Sequence, residues 1–359
     1  MNRVYNFSAG PAALPVAVLE QAQSELLDYQ GTGRSIMEDS HRSKAYDAVH
    51  NEAIQNLRDL LDLNDDYAVI FLTGGATGQF AMAPMNLLGE GQVADYTNSG
   101  AWAAKAIKEA RVIGAVNVIA DCEKDMPARV PRVDELQYTD NAAYVHITSN
   151  ETISGAQWKE FPVTQAPLVA DMSSDILSRP LDVSRFGLIY AGAQKNLGPA
   201  GVTLVILRKD LAERVSDSVP LFYRYKTHMA ANSLYNTPPC FPIYMVMLVT
   251  RWLKEKGGLA VMAESNERKA RTLYDLIDAG EFYSGTAMPE YRSTMNVTFR
   301  LPSEELEAAF IREATREGMT GLKGHRSVGG IRASIYNAMP EGGVNALVAF
   351  MKEFERKNG

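Results

Sequence analysis

Short apolar runs alternate with amphipathic helical stripes along this chain, the pattern of α/β architecture with a largely parallel sheet. Runs at 67–72, 93–96, 142–148, 167–170, 187–194 and 202–207 read as strands. Val49, Ala53, Leu57, Leu60 and Leu61 recur at helix spacing between the first polar stretch and the first run. Further on, 243–256 predicts a helix stopped by Gly257 and Gly258, and 259–279 predicts another. Met295, Val297, Phe299 and Leu301 then alternate with polar residues, which predicts a half-buried strand. Ser303 opens a helix with Glu304 and Glu305 in its first turn, where the helix dipole favours acids. A last strand at 330–336 precedes a helix whose stripe is Val344, Leu347, Val348, Met351 and Phe354. The change of pattern sets a larger α/β unit, 16–264, apart from a smaller α+β unit, 265–359.

Composition narrows the class. A chain of 359 residues is long enough for two domains, and 46% apolar with 22% charged residues is an ordinary globular balance. A net charge of −7 argues against a nucleic-acid partner, because phosphate backbones select basic surfaces. No apolar run approaches the ~20 residues of a membrane helix. The start of the chain, from Met1 through Asn2 to Ala9, has no apolar core of leader length. Cys122 and Cys240 imply no disulfide framework, and the five histidines show no metal-ligand spacing, so no metal is expected. The cytosol is the expected compartment.

In open α/β sheets, ligands bind beyond the carboxyl ends of the strands, and there the polar residues gather. Gly74, Gly75, Ala76 and Thr77 lie between a strand and a helix, so their N–H groups can meet an anion; alone, they also read as a tight turn. No Walker or dinucleotide fingerprint is present. Lys195 follows a strand and opens a glycine- and proline-containing loop, a place from which its amine can form an imine. Asp171, 24 residues earlier, ends the preceding run; it can hold a pyridine nitrogen protonated or simply cap Met172 to Asp175. Trp102 can stack on a flat ring or pack in a core. Thr152 can bond a ring hydroxyl and Gln194 a phosphate, or both can make ordinary loop bonds. Asn236 and Thr237 before two prolines read as a turn. Together these residues fit pyridoxal phosphate (PLP) bound through Lys195 as a Schiff base.

Val169 to Ser174 and Tyr190 to Gly201 closely resemble the cofactor-lysine region of the phosphoserine aminotransferase family. The likeness runs the length of the chain: Asn6 to Pro11, His41-Arg42, Gly74 to Thr77, Asn150 to Thr152, Tyr235 to Pro239, Gly324 to Arg326, and Gly330 to Arg332. It implies a fold-type I PLP transferase, with a mainly parallel seven-stranded sheet and a small domain that also takes in residues 1–15. It implies a homodimer with interfacial sites. In that reading Lys195 holds the cofactor, Asp171 pairs with its ring nitrogen, Trp102 stacks on the ring and Thr152 lies by the phenolic oxygen. Ala76, Thr77 and Gln194 bind its phosphate, joined by Asn236 and Thr237 of a partner subunit. Ser8, His41, Arg42, His325, Arg326 and Arg332 face the substrate, with Arg332 clamping a carboxylate. The cationic set suits a phosphoamino acid on chemical grounds, and Arg332 lies opposite Ile331, Ala333 and Ile335 on its strand. The implied reaction is glutamate-dependent transamination of 3-phosphohydroxypyruvate, with a phosphorylated hydroxythreonine precursor as a second substrate. The rival readings are another fold-type I enzyme, such as a cysteine desulfurase or an alanine–glyoxylate aminotransferase, and a non-catalytic PLP-binding protein.

Overall fold

A computed structural model describes residues 3–359. Met1 and Asn2, part of the leader argument and of segment 1–15, lie outside the described residues. The main sheet has seven strands: β1 (Tyr67–Leu72), β2 (Val93–Asn98), β3 (Ala115–Asp121), β4 (Val145–Thr148), β5 (Leu168–Asp171), β6 (Phe186–Gly192) and β7 (Thr203–Arg208). Their spatial order is β1-β7-β6-β5-β4-β2-β3. β7 is antiparallel to both neighbours, and the remaining pairs are parallel.

Helices cover both faces. Helices α1 (Val16–Ser24), α2 (Lys44–Leu61) and α5 (Cys240–Glu255) pack into one core with Val69, Phe71, Ile147 and Ile189. Helices α3 (Gly75–Leu87) and α4 (Ala101–Ile113) pack on the other face with Ile70, Tyr96, Val169 and Tyr190. Burial on both faces is why the central strands read as continuous apolar runs. The helix starts follow local chemistry: Ser43 Oγ accepts from Tyr46 N at 3.1 Å at the start of α2. Gly257, at φ +98°, takes the left-handed turn that ends α5.

A third core joins Phe7 to residues between Ala270 and Phe354. It is built from α6 (Gly258–Ile277), α7 (Glu304–Arg316), α8 (Glu341–Asn358) and a three-stranded antiparallel sheet of Ser284–Gly285, β8 (Asn296–Arg300) and β9 (Ile331–Ser334). Tyr5–Asn6 pairs in parallel with Met319–Thr320, which seats Phe7 in this core.

Four expectations change. The 93–96 run extends through Thr97 and Asn98, because they pair with Ala120 and Asp121 of β3. The 187–194 run stops at Gly192: Leu197 N and Gly198 N turn back onto the Ala193 carbonyl, so Lys195 sits in that turn rather than at a strand end. β3 goes unannounced because it is an exposed edge with a diluted apolar signal. β8 is buried on both faces rather than one. Its polar face packs inward: Asn150 Nδ2 donates to Asn296 Oδ1 at 2.8 Å, and Thr298 Oγ1 donates to Ser154 O at 2.9 Å.

The turn after β9 reaches the loop that carries Lys195. Asn337 N donates to Asn196 Oδ1 at 3.0 Å, and Asn337 Nδ2 donates to Leu177 O at 2.8 Å. Buried Lys269 of α6 fixes the same turn, donating to the carbonyls of Ile335, Tyr336 and Met339 at 2.9, 2.8 and 3.1 Å. Lys269→Met fills the same volume but strips three buried carbonyls of their donor. The expected loss is about 3 kcal/mol, read as a thermal melt lowered by roughly 5–10 °C. A melt at the wild-type temperature would show that the ammonium does not hold this turn.

Candidate functional site

The carboxyl ends of five strands, β1, β2, β4, β5 and β6, share one edge of the sheet. After β1, Gly74 (φ +93°) and Gly75 (φ +62°) turn the chain into α3, whose start carries no side-chain cap. At this corner Gly78 N donates to Gly74 O at 3.0 Å, the bond that opens the helix. The first-turn N–H groups of Gly75, Ala76 and Thr77 are therefore available to an anion, with the helix dipole behind them. Thr77 is exposed there and Ala76 is partly covered.

Lys195 is the centre of the cleft. Its Nζ donates to Thr152 Oγ1 at 2.7 Å and lies 5.2 Å from the Trp102 ring centroid. Burial pushes its amine down to about 8; the carboxylates of Asp171 and Glu151 oppose that shift, and Arg332 adds to it. Gly10 passes so close that a Cβ there would sit 3.2 Å from Lys195 Cγ. Next to it, Ala12 N donates to Gln194 O at 2.9 Å.

Asp171 is buried at the end of β5. Ser173 donates to its Oδ1 twice, from N at 2.9 Å and from Oγ at 2.6 Å. Oδ1 thus makes the local turn, and no donor among the described residues takes Oδ2, which leaves that oxygen open to a ring nitrogen. Burial raises its carboxyl, while Lys195 and the Ser173 bonds pull it back.

Glu151, Ser173 and Lys105 belong to the site but were not singled out beforehand. Buried Glu151 accepts from Ser99 Oγ, Trp102 N and Ala103 N at 3.3, 3.2 and 3.1 Å. Burial pushes its carboxyl up to about 7. Its signal was its place between Asn150 and Thr152, and that of Ser173 was the Asp-x-Ser spacing of an Asx turn. Lys105 lies one turn after Trp102, with its ammonium 4.1 Å from the indole centroid.

The mouth of the cleft is cationic. Arg332 Nη1 donates to Thr152 O at 3.3 Å, and burial lowers its pKa. His325 bonds Ser327 Oγ through Nδ1 at 2.7 Å. Its pKa falls through burial and through the charges of Arg332, Arg326 and Lys105, so these four groups share one space. Ser8 lies two residues before Gly10, its N donating to Asn6 Oδ1 at 3.0 Å. Gln194 folds its amide back over Gly192, where a Cβ would meet Oε1 at 2.7 Å.

Four expected residues stay outside this group within one chain. His41 and Arg42 sit in the loop before α2, where Arg42 N donates to Ser40 Oγ at 3.2 Å. Asn236 and Thr237 lie on an exposed loop, with Asn236 Nδ2 donating to Thr237 O at 3.0 Å. Asn236 lines a pocket with Thr73, the residue just before the Gly74 turn. No cluster of metal-ligating side chains occurs among the described residues.

The donor set fits pyridoxal phosphate: a partly buried amine, a carboxylate oxygen without a donor, an aromatic wall and an uncapped helix start. The family model for class-V aminotransferases matches residues 4–347. The phosphoserine aminotransferase of Desulfosudis oleivorans is 59% identical over 360 residues, spanning 99% of each sequence. Among solved structures, the phosphoserine aminotransferase of Bacillus circulans subsp. alkalophilus has a TM-score of 0.96 at 55% identity, covering 99% of both chains. The PLP-bound phosphoserine aminotransferase of Trichomonas vaginalis has a TM-score of 0.94 at 41% identity, covering 98% of this chain and 100% of its own.

An amine at about 8 is unprotonated in mild alkali, where ordinary lysines are still charged. In cofactor-free protein, acylation of Lys195 by a small amine-selective reagent should rise through pH 8, well before surface lysines respond. Peptide-resolved mass spectrometry reads this; a Lys195 profile that coincides with the surface lysines would refute the depressed amine.

Proposed function

The chain belongs to the class-V aminotransferases, in the phosphoserine aminotransferase family, and we propose that it moves an amino group between L-glutamate and 3-phosphohydroxypyruvate. The products are 2-oxoglutarate and O-phospho-L-serine, and the step is reversible. The observation that carries this reading is the Lys195 amine between Thr152, Trp102 and buried Asp171, with the cations Arg332, Arg326 and Lys105 around the His325 imidazole at the mouth. A small-substrate aminotransferase has no use for that many cations. Against a desulfurase, burial raises the Cys122 thiol to about 12 and also raises that of Cys240, the reverse of an activated nucleophile.

When bound, pyridoxal phosphate supplies an electron sink for the pair left by α-proton removal and stores the amino group between half-reactions. The chain's own groups do the rest. Lys195 is the general base and acid: its lowered pKa leaves a free amine fraction near neutrality to take the α-proton and hand it back. Thr152 aims that amine. Asp171 Oδ2 keeps a proton on the ring nitrogen, and Ser173 stops its carboxylate from rotating. Trp102 closes one face of the cleft. The uncapped start of α3, with Ala76, Thr77 and Gln194, holds the cofactor phosphate.

Arg332 takes the substrate carboxylate in a forked pair, and its tie to the Thr152 carbonyl keeps the fork beside the amine. His325 and Arg326, with Lys105 nearby, take the substrate phosphate, and the side-chain carboxylate of glutamate uses the same region. His41, Arg42, Asn236 and Thr237, remote within one chain, belong in this proposal to the site of a second copy across a homodimer. Ser8 borders the substrate from the amino-terminal segment. A phosphorylated four-carbon homologue, 3-hydroxy-2-oxo-4-phosphobutanoate, meets the same cations and serves as a second substrate of the kind used in pyridoxine synthesis. The domain division proposed is 16–264 against 1–15 with 265–359. No helix among the described residues is long and apolar enough to cross a membrane, and the proposed compartment is the cytoplasm.

Two variants test the assignment. Lys195→Ala should lose borohydride-fixed cofactor from its peptide mass and at least about a hundredfold of turnover, since a positioned general base typically contributes ~10²–10⁴-fold. Cofactor still fixed covalently in that variant would move the amine elsewhere. Arg326→Ala should raise KM for phosphoserine by roughly 10–100-fold, the worth of a charged hydrogen bond, and raise it less for glutamate. Equal effects on the two substrates would remove Arg326 from the phosphate group.

A further inference from the structure

Helix α4 begins without the residue that ordinarily caps a helix. Its N-cap is Gly100, which has no side chain to offer the first-turn N–H groups. The acceptor comes instead from Glu151, about fifty residues away. Glu151 Oε2 takes Trp102 N at 3.2 Å, and Oε1 takes Ala103 N at 3.1 Å with Ser99 Oγ at 3.3 Å. This two-oxygen grip fixes direction as well as distance. The glycine is required for it, because a Cβ at Gly100 would lie 2.7 Å from Glu151 Cδ. The backbone at Gly100 is extended (φ 160°), so the requirement is space for Glu151 rather than a special backbone angle.

The arrangement matters because of what adjoins it. Thr152, one peptide bond on, accepts the Lys195 amine at its hydroxyl and gives its carbonyl to Arg332. Asn150, one bond back, donates to Ser174 Oγ and to Asn296 Oδ1, both at 2.8 Å. A local cap would hold the helix together yet leave it free to slide relative to Thr152. A cap from residue 151 ties the helix start, and so the Trp102 indole, to the residue that aims the amine.

We propose that Glu151 is a positioning residue, whose carboxylate sets the height and tilt of Trp102 over the cofactor ring in register with Thr152 and Lys195. The inference rests on the proposed stacking role of Trp102. This positioning task is separate from the effect of the same carboxylate on the Lys195 amine.

The test is a double-mutant cycle on the full-length protein, reading the dissociation constant of pyridoxal phosphate from cofactor-free protein and the induced circular dichroism of the bound cofactor. Trp102→Ala should weaken cofactor binding about tenfold, the scale of a stacking contact. Glu151→Ala should weaken it by a similar factor and shrink the induced signal. Glu151→Gln, which keeps one oxygen acceptor, should recover most of both. The double variant should be no worse than about twice Trp102→Ala alone, because Glu151 acts through the indole. Gly100→Ala, which crowds Glu151 from the other side, should mimic Glu151→Ala and serves if the latter does not fold. KM for phosphoserine should stay within about twofold in Glu151→Gln, since Arg332 bonds a backbone carbonyl that survives. Losses that multiply in the double variant, or wild-type binding and dichroism in Glu151→Ala, would overturn the inference. Wild-type binding in Trp102→Ala would instead overturn the stacking reading on which it stands.

Discussion

Everything at this site depends on keeping one amine out of water. A lysine ammonium loses much of its hydration when buried, and the deprotonated form gains accordingly. Lys195 meets that cost with two buried carboxylates, Asp171 and Glu151, and with the Thr152 hydroxyl. Burial pushes the amine down, and the two carboxylates pull it back up. Between the two it sits near 8, where it can accept and return a proton at little cost.

The carboxylate beside it is kept undistracted. Beside Asp171 on the same sheet face, Tyr190 pairs with it in register and shares a hydrogen bond with His146 Nε2 at 2.8 Å. Burial pushes His146 down to about 3, so this neighbour is neutral and places no cation behind the carboxylate. Tyr96 and Tyr144 close the layer, bonded to each other at 2.8 Å. The negative charge of Asp171 is thus answered by Lys195 and by the Ser173 donors, with Oδ2 left for a ring nitrogen to draw on.

Much of this was legible beforehand because strand ends are legible. Runs buried on both faces stand out, and in a parallel sheet the residues after each run share one edge, so Gly74, Trp102, Thr152, Asp171 and Lys195 could be placed together from order alone. What could not be read was polar and long-range. Nothing local marks Glu151 as the cap of a helix beginning at residue 101, or Lys269 as the donor to a turn some seventy residues later. β8 misled for the same reason. Asn296 and Thr298 look solvent-facing until their partners, Asn150 and Ser154, arrive from another part of the chain. β3 failed differently, since an edge strand half open to water carries too little apolar contrast to register.

Selectivity for a phosphorylated substrate follows from where the charge sits rather than how much there is. The chain is net acidic, so long-range attraction of a dianion is weak and further screened by salt. The cations at the mouth instead stand within each other's reach, and after burial the repulsion of their charges further lowers His325. A dianion relieves that repulsion as it binds, and the relief is greater for a phosphate than for a single carboxylate. The arrangement therefore favours phosphoserine over glutamate in the region both must use. It also explains why His41 and Arg42, if supplied by the proposed second copy, would be held apart until assembly: a fourth cation added to Arg332, Arg326 and Lys105 on one monomer's mouth would be repelled with no anion present to offset it.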